Sequence, residues 1–215
     1  LPDPLKVCHY YLGYDGTHLI VTGQREIETV SIECCHPGID SALPAYLAHI
    51  DHPEKILVFC NSRKRVDTLS AEMRGTIESH GFSVRAHHGS LSKKVREEAE
   101  AALREQKAIV LFATSTLEIG IDIGDVDLVV LDGPAPDISA LLQRIGRGNR
   151  RTQKTRVMAC AGNMAGVIIQ SAMIEAARQG FLGTCNDGAC YGVIIQQLAS
   201  HIFQSPRRKR SRGAV

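Results

Sequence analysis

From residue 55 to residue 180 the chain alternates short apolar runs with stretches of helical spacing. Ile56–Cys60, Ala108–Ala113 and Val126–Leu131 are nearly unbroken apolar runs, and Phe82–His87 and Arg156–Cys160 are strand-like. Runs this short, without polar alternation, mark strands buried on both faces. Between them, Arg63–His80 carries Val66, Leu69, Met73 and Ile77 at helical spacing, opened by Asn61-Ser62 and closed by Gly81. Lys93–Gln106 repeats the design with Val95, Ala99, Ala102 and Leu103, after the loop His88-Gly-Ser-Leu-Ser92. Leu117–Ile119 reads as a short helical turn, and Ile138–Gly148 and Met164–Gly180 as helices. Upstream, Val7–Leu12 and Ile27–Cys34 read as strands around a Tyr14-Asp-Gly16 turn, and the stretch from Asp40 to Ile50 as a short helix. Downstream, Gly180–Tyr191 is a Gly- and Cys-containing linker, and Val193–Phe203 has the pattern of one amphipathic helix.

Strands alternating with helices predict an α/β fold, a doubly wound and mostly parallel sheet flanked by helices. Such sheets bind ligands at the C-terminal ends of their strands. Three polar clusters fall there: Asn61, Ser62 and Arg63; His87 to Ser90 with Gly89; and Thr114 with Ser115. Each leads from a strand toward a helix start, where free N–H groups favour phosphate. Ordinary N-capping explains any one of them. Three on one edge, followed by an arginine cluster, raise the phosphate reading.

That cluster is Gln143-Arg-Ile-Gly-Arg-Gly-Asn-Arg150, with Arg144, Arg147 and Arg150 three apart. Residues three apart lie close on one helix face. Guanidiniums gathered there suit a polyanion, because the planar fork binds phosphate in two places and stays charged. A solvated basic helix end is an equal reading of this stretch alone. Asp122, in Gly120-Ile-Asp-Ile-Gly124, could accept from a ribose, but satisfying local N–H groups is the favoured role. His87 and His88 are adjacent in a strand-like run, so their side chains point apart and a shared metal ion is disfavoured. Packing or capping suits them better. Glu118, the acid nearest the arginines in sequence, receives no catalytic role.

Composition narrows the ligand. The 215 residues carry a net charge of +2, 44% hydrophobic positions, no Trp and only 5% aromatics. Base-stacking platforms are therefore scarce, and any grip on nucleic acid must rest on backbone phosphates. Basic residues concentrate at Arg144–Arg156 and Arg207–Arg212, the second a solvated tail in the favoured reading. The seven cysteines include no CxxC pair, which disfavours a zinc site and fits reduced cytoplasmic thiols, with Cys60 and Cys160 as small core residues. No apolar run reaches a membrane span and no signal peptide is visible. There is no GxxxxGK[ST] loop and no Asp-Glu pair for Mg²⁺. The start at Leu1 suggests a fragment or processed piece.

Leu57-Val-Phe-Cys-Asn-Ser-Arg63, His87-His-Gly-Ser-Leu-Ser92, Ala113-Thr-Ser-Thr-Leu-Glu-Ile-Gly-Ile-Asp122 and Gln143–Arg150 resemble motifs IV, IVa, V and VI of superfamily-two helicases, in order. The double His, the Leu-Glu before Gly-Ile-Asp, and Gln143 resemble the Lhr (large helicase-related) family most closely. DEAD-box proteins usually carry His where this chain has Gln143, and Gln where it has Lys93-Lys94. The resemblance covers roughly residues 54–180. It implies the second RecA-like motor domain of an ATP-dependent 3′–5′ translocase on single-stranded DNA or a DNA/RNA hybrid, with no membrane association. ATP and Mg²⁺ would be held mainly by an upstream RecA-like domain of the same protein. By motif position, Arg147 and Arg150 would be arginine fingers, and Arg144 would couple motif VI to motif V. Gly120, Asp122 and Gln143 would lie near the nucleotide. Asn61, Ser62, Arg63, Gly89, Ser90, Thr114 and Ser115 would grip the strand backbone. Residues 1–53 are then a lead-in, 54–180 the motor domain, and 181–215 a linker, the start of a winged-helix-like segment and the basic tail. Without a phosphate loop the chain alone is expected to be inactive. The competing reading is a non-catalytic nucleic-acid-binding module.

Overall fold

A computed structural model describes residues 26–30, 38–118, 123–148 and 154–179. The expectations for Val7–Leu12, the Tyr14 turn, Gly120, Asp122, Arg150, the linker, Val193–Phe203 and the basic tail fall outside these residues. The described elements are β1 (Glu26–Thr29), α1 (Ile39–His49), β2 (Lys55–Cys60), α2 (Arg63–Glu72), α3 (Arg74–Ser79), β3 (Ser83–His87), α4 (Lys93–Glu105), β4 (Ile109–Ala113), a 3₁₀ turn (Ser115–Leu117), β5 (Leu128–Asp132), α5 (Ile138–Ile145), β6 (Lys154–Cys160) and α6 (Met164–Arg178).

The six strands form one sheet in the order β1-β6-β5-β2-β4-β3. Every pair is parallel. The apolar runs explain its two-sided burial. Alternate residues point to opposite faces, so Ile56, Val58, Val110, Phe112, Leu128 and Val130 join one core. Leu57, Phe59, Ile109, Leu111, Val129 and Leu131 join the other. Helices α1 to α3 cover the first through Ile39, Leu43, Tyr46, Val66, Leu69 and Ile77. Helices α4 to α6 cover the second through Ala99, Leu103, Leu141, Ile145 and Ile174. Truncating Phe59 or Phe112, both fully buried, would cost about 3–5 kcal/mol, the scale for aromatic-to-alanine changes in a core.

Several boundaries differ from the expected ones. The helix expected over Arg63–His80 is broken at Met73, which ends α2 and starts α3. The strand expected from Val126 starts at Leu128, and Val126 makes an isolated bridge to Gly148. That bridge goes with the early end of α5 at Ile145. A Cβ on Gly148 would meet Thr155 Cγ2 of β6 at 2.5 Å and Val129 Cγ2 of β5 at 3.4 Å, so beyond the helix the chain packs closely against both strands.

The strand order also places the crevice. From β2 the chain reaches β3 and β4 on one side, then crosses to β5 and β6 on the other. The loops after β2, β4 and β5 therefore open at the point where the winding reverses, the usual ligand position in such sheets.

Candidate nucleotide and nucleic-acid interface

Three of the predicted loops meet at that edge. Ser62 has extended backbone and its Oγ accepts from Arg65 N at 3.2 Å, capping α2. Arg63, the first helical residue, donates from Nη1 to Ser90 Oγ at 2.8 Å. A Cβ built on Gly89 would lie 3.9 Å from both Arg63 Nη2 and Thr116 Cγ2. Arg63, Gly89, Ser90 and the Thr114–Thr116 turn thus form one surface. Ser115 is exposed on it, while Thr114 is buried and donates from its backbone N–H to His87 O at 3.2 Å.

Asn61 is oriented toward a second cluster. Its Oδ1 accepts from Arg144 Nη1 at 3.0 Å, and its Nδ2 donates to Pro134 O at 2.8 Å. Arg144, only 2% exposed, also donates from Nε to Glu118 Oε1 at 2.8 Å and stacks over Phe59 at 5.5 Å. Arg147, 7% exposed, donates from Nη2 to the Glu118 backbone oxygen at 2.7 Å. The arginines do not share a helix face as expected. Helix α5 ends at Ile145, so Arg144 comes from the helix and Arg147 from the turn beyond it, and both converge on Glu118. Gln143 is exposed.

Glu118 is the residue that sequence reasoning passed over. Its carboxylate and its carbonyl serve two different arginines. The available signal was its place as the acid nearest the cluster, in the Leu-Glu before Gly-Ile-Asp. The two histidines hold separate partners. His87 lies between Thr116 Oγ1 and Glu100 Oε1, each at 2.9 Å. His88 lies between Asp67 Oδ1 at 2.9 Å and the Ser90 backbone N–H at 3.3 Å.

Other strand-end groups are chemically quiet. Burial pushes the Cys60 and Cys160 thiols up to about 12, with the nearby Asp132 carboxylate adding to it. Neither is a nucleophile at neutral pH. Asp132 holds Arg65 in a two-point pair, Nε to Oδ2 at 2.8 Å and Nη2 to Oδ1 at 3.1 Å. That hydrogen-bonded pair raises the Arg65 pKa above its ordinary value. Among the described residues no group of three His, Cys, Asp or Glu converges to hold a metal. Nor is any described helix long and apolar enough to cross a membrane.

The model for the helicase conserved C-terminal domain matches residues 39–152, which contain β2 to β5 and all four clusters. The chain belongs to the helicase C-terminal domain family. The similarity extends to ATP-dependent helicases named Lhr-Core. The Sulfolobus acidocaldarius protein is 30% identical over 174 residues, covering 73% of this chain and 20% of that protein. Lhr-Core protein 2 of Thermococcus barophilus is 35% identical over 102 residues, covering 47% of this chain and 12% of that protein. The chain thus spans only 12% to 20% of the length of these curated relatives. Mycobacterium smegmatis helicase Lhr, solved with ssDNA and AMP-PNP, superposes with a TM-score of 0.73 at 22% identity, over 91% of this chain and 27% of that one. The C-terminal domain of the DEAD-box protein Dbp5 gives 0.57 at 23% identity, over 73% of this chain and 86% of that one. Identities this low speak for the fold alone, and that fold is RecA-like. This helicase C-terminal domain also includes α1, whose Ile39, Leu43 and Tyr46 complete the first core.

Proposed function

We propose that this domain is the C-terminal motor half of an ATP-dependent nucleic-acid helicase or translocase. The observation that carries the reading is the meeting, at one sheet edge, of a phosphate-suited surface and a buried arginine node. Arg63, Gly89, Ser90, Thr114 and Ser115 form the first, with Ser62 fixing the start of α2. Arg144, Arg147, Glu118 and Asn61 form the second.

In this reading the surface follows the phosphates of single-stranded DNA or a DNA/RNA hybrid. Arg63 supplies charge and two-point donors. The neighbouring hydroxyls and N–H groups orient the strand without reading its bases. Asn61 belongs to the same grip through its link to Arg144. Arg147 and Arg150 are the arginine fingers, Arg144 couples them to motif V, and Gly120, Asp122 and Gln143 border the nucleotide. ATP is the substrate, held with Mg²⁺ mainly by an upstream RecA-like domain. Its bond cleavage supplies the free energy. The fingers act by stabilising charge that develops on the transferred phosphoryl oxygens, an effect of roughly 10³–10⁵ in rate in related reactions. The Lhr relative bound to ssDNA and AMP-PNP supports this pairing of ligands. Residues 1–53 form the lead-in from the upstream domain, 54–180 the motor domain, and 181–215 a linker, the start of a winged-helix-like segment and the basic tail. The whole protein works in the cytoplasm, and this chain alone does not turn over ATP.

The test is ATP hydrolysis at saturating single-stranded DNA, comparing the 215-residue chain with a version extended upstream through the preceding domain. Turnover in the extended protein alone is expected. Absence of turnover in both, with salt-sensitive DNA binding retained, would replace the motor reading with a binding module.

A further inference from the structure

We propose that His87, held by Glu100, is a positioning residue for the strand grip. It sets the direction of the Thr116 hydroxyl, and so the hydrogen-bonding face that the Thr114–Thr116 turn presents. The proposal rests on the reading of that surface as the nucleic-acid grip.

His87 ends β3 and is 1% exposed, so both ring nitrogens need partners inside the protein. Nε2 lies 2.9 Å from Glu100 Oε1 on α4, and Nδ1 lies 2.9 Å from Thr116 Oγ1. A carboxylate only accepts, so Nε2 carries the hydrogen. Nδ1 of the neutral ring then accepts, and the Thr116 hydroxyl donates to it. The Thr116 hydrogen is thereby drawn inward, away from a strand whose phosphates only accept, and one lone pair faces Thr114 Oγ1 at 3.4 Å. Without the carboxylate the ring could take its other tautomer. Nδ1 would then donate to Thr116 and release the hydroxyl hydrogen to point elsewhere. An acid on α4, itself outside the grip, therefore chooses between two polarities of the turn.

The location gives that choice a consequence. Thr116 Cγ2 and Arg63 Nη2 both border Gly89, each 3.9 Å from where a Cβ would stand. The same turn is tied to the end of β3 by Thr114 N–H donating to His87 O at 3.2 Å. His87 thus fixes the turn through both its backbone and its ring. Two other histidines show the contrast. His49 and His80 bond carbonyls of the preceding helical turn, at 2.7 Å and 2.8 Å. His87 instead joins a helix carboxylate to a hydroxyl on the grip.

The experiment uses the full-length protein with its upstream motor domain. It reads the single-stranded DNA concentration for half-maximal stimulation of ATP hydrolysis, separately from turnover at saturation. Glu100→Ala is expected to lower the half-saturation point about 3–10-fold, the size of one gained hydrogen bond to a phosphate, and Thr116→Val to leave it within about twofold of the parent. Glu100→Gln, whose Oε1 still accepts from Nε2, should return it to within about twofold of the parent. The double variant Glu100→Ala/Thr116→Val should match Thr116→Val, because the carboxylate acts only through that hydroxyl. Thermal unfolding of each variant, with His87→Gln alongside, separates misfolding from misplacement; if His87→Gln unfolds, the Glu100 and Thr116 variants carry the test. A half-saturation point unmoved or raised in Glu100→Ala, or a double variant that keeps the Glu100→Ala effect, would overturn the proposal. Arg63→Ala distinguishes the two levels. If it weakens DNA binding while Glu100→Ala leaves it unmoved, only the positioning role fails. If it too is silent, the grip reading itself fails.

Discussion

Replacing Glu118 with alanine tests the arginine node without reference to any activity. Glu118 and Arg144 are 10% and 2% exposed at the side chain, and their pair spans 2.8 Å. Removing one partner of a buried pair leaves the other charge stranded, at a cost of about 3–5 kcal/mol. Asn61 Oδ1 would still accept from Arg144 Nη1, and a neutral acceptor offsets part of the loss. That places Glu118→Ala near the lower end, about 3 kcal/mol. The Arg147 contact uses the Glu118 backbone carbonyl, so the substitution leaves it in place. Glu118→Gln keeps an acceptor and loses the charge, and should cost about 1.5–3 kcal/mol, the scale of a hydrogen bond to a charged group.

Urea unfolding of the 215-residue chain gives these differences directly. At about 2–4 °C per kcal/mol for a domain this size, Glu118→Ala should also lower Tm by roughly 6–12 °C. Arg144→Met/Glu118→Ala should be less destabilised than the two singles added together, because neither charge is then stranded. A Glu118→Ala loss under about 1 kcal/mol, the scale of an exposed pair, or a double variant equal to the sum, would refute the reasoning. Water would then be reaching the pair.

Arg147→Ala in the upstream-extended protein should cut DNA-stimulated turnover by about 10³-fold or more, read in a steady-state ATPase assay, while nucleotide affinity changes far less. Gly89→Ala should fold normally, since its Cβ would sit 3.9 Å from the nearest side-chain atoms; a loss of DNA affinity with unchanged Tm would place the need for glycine on the ligand side. The raised thiols of Cys60 and Cys160 favour the neutral form in the folded chain. Their contribution is present below the ordinary value of 9.0 and is lost as pH rises toward about 12. Unfolding free energy should therefore fall above pH 9, by up to about 1.4 kcal/mol per pH unit per thiol, followed by urea titrations under reducing conditions. At pH 8, iodoacetamide followed by peptide mapping should leave both unlabelled until the chain is unfolded.

The strands were legible because the central ones are buried on both faces, which only a continuous apolar run can satisfy. Ile56–Cys60 and Ala108–Ala113 were read to within one residue of β2 and β4. The end of α5 differs from the expected one because the three-residue spacing of Arg144, Arg147 and Arg150 suggests a continuing helix, although Gly146 and Gly148 are poor helix formers that carry a warning. Within the site, Arg63 with Ser90 and Arg144 with Arg147 were found from local chemistry. Their partners were not. Glu118 lies 26 positions from Arg144 and Asn61 lies 83 positions from it, and no local pattern announces contacts of that reach. Glu100 looked like one charge among several on α4, whose Lys93–Glu97 and Lys94–Glu98 pairs are ordinary exposed ones. Only the fold distinguishes it from them.

Strand order explains why these distant residues meet. Parallel strands all end at the same edge, so each connecting loop lies beside those of its neighbours in the sheet rather than its neighbours in sequence. In the order β5-β2-β4-β3, Asn61 comes directly after the strand between β5 and β4. Arg144 comes from the helix after β5 and Glu118 from the turn after β4, so both approach Asn61 from opposite sides. His87, at the end of β3, is next to β4 and reaches Thr116 in that same turn. The segment Thr114–Glu118 therefore belongs to both clusters, with Thr116 on the strand surface and Glu118 under the arginines. Residues 61 to 63 do the same from β2, Asn61 bonded to Arg144 and Arg63 to Ser90. Two short segments, each fixed to a buried central strand, thus link the arginine node to the strand surface. A shift at one cluster must displace the other or break one of these bonds, which in the proposed motor would be a physical route for coupling strand contact to phosphoryl transfer.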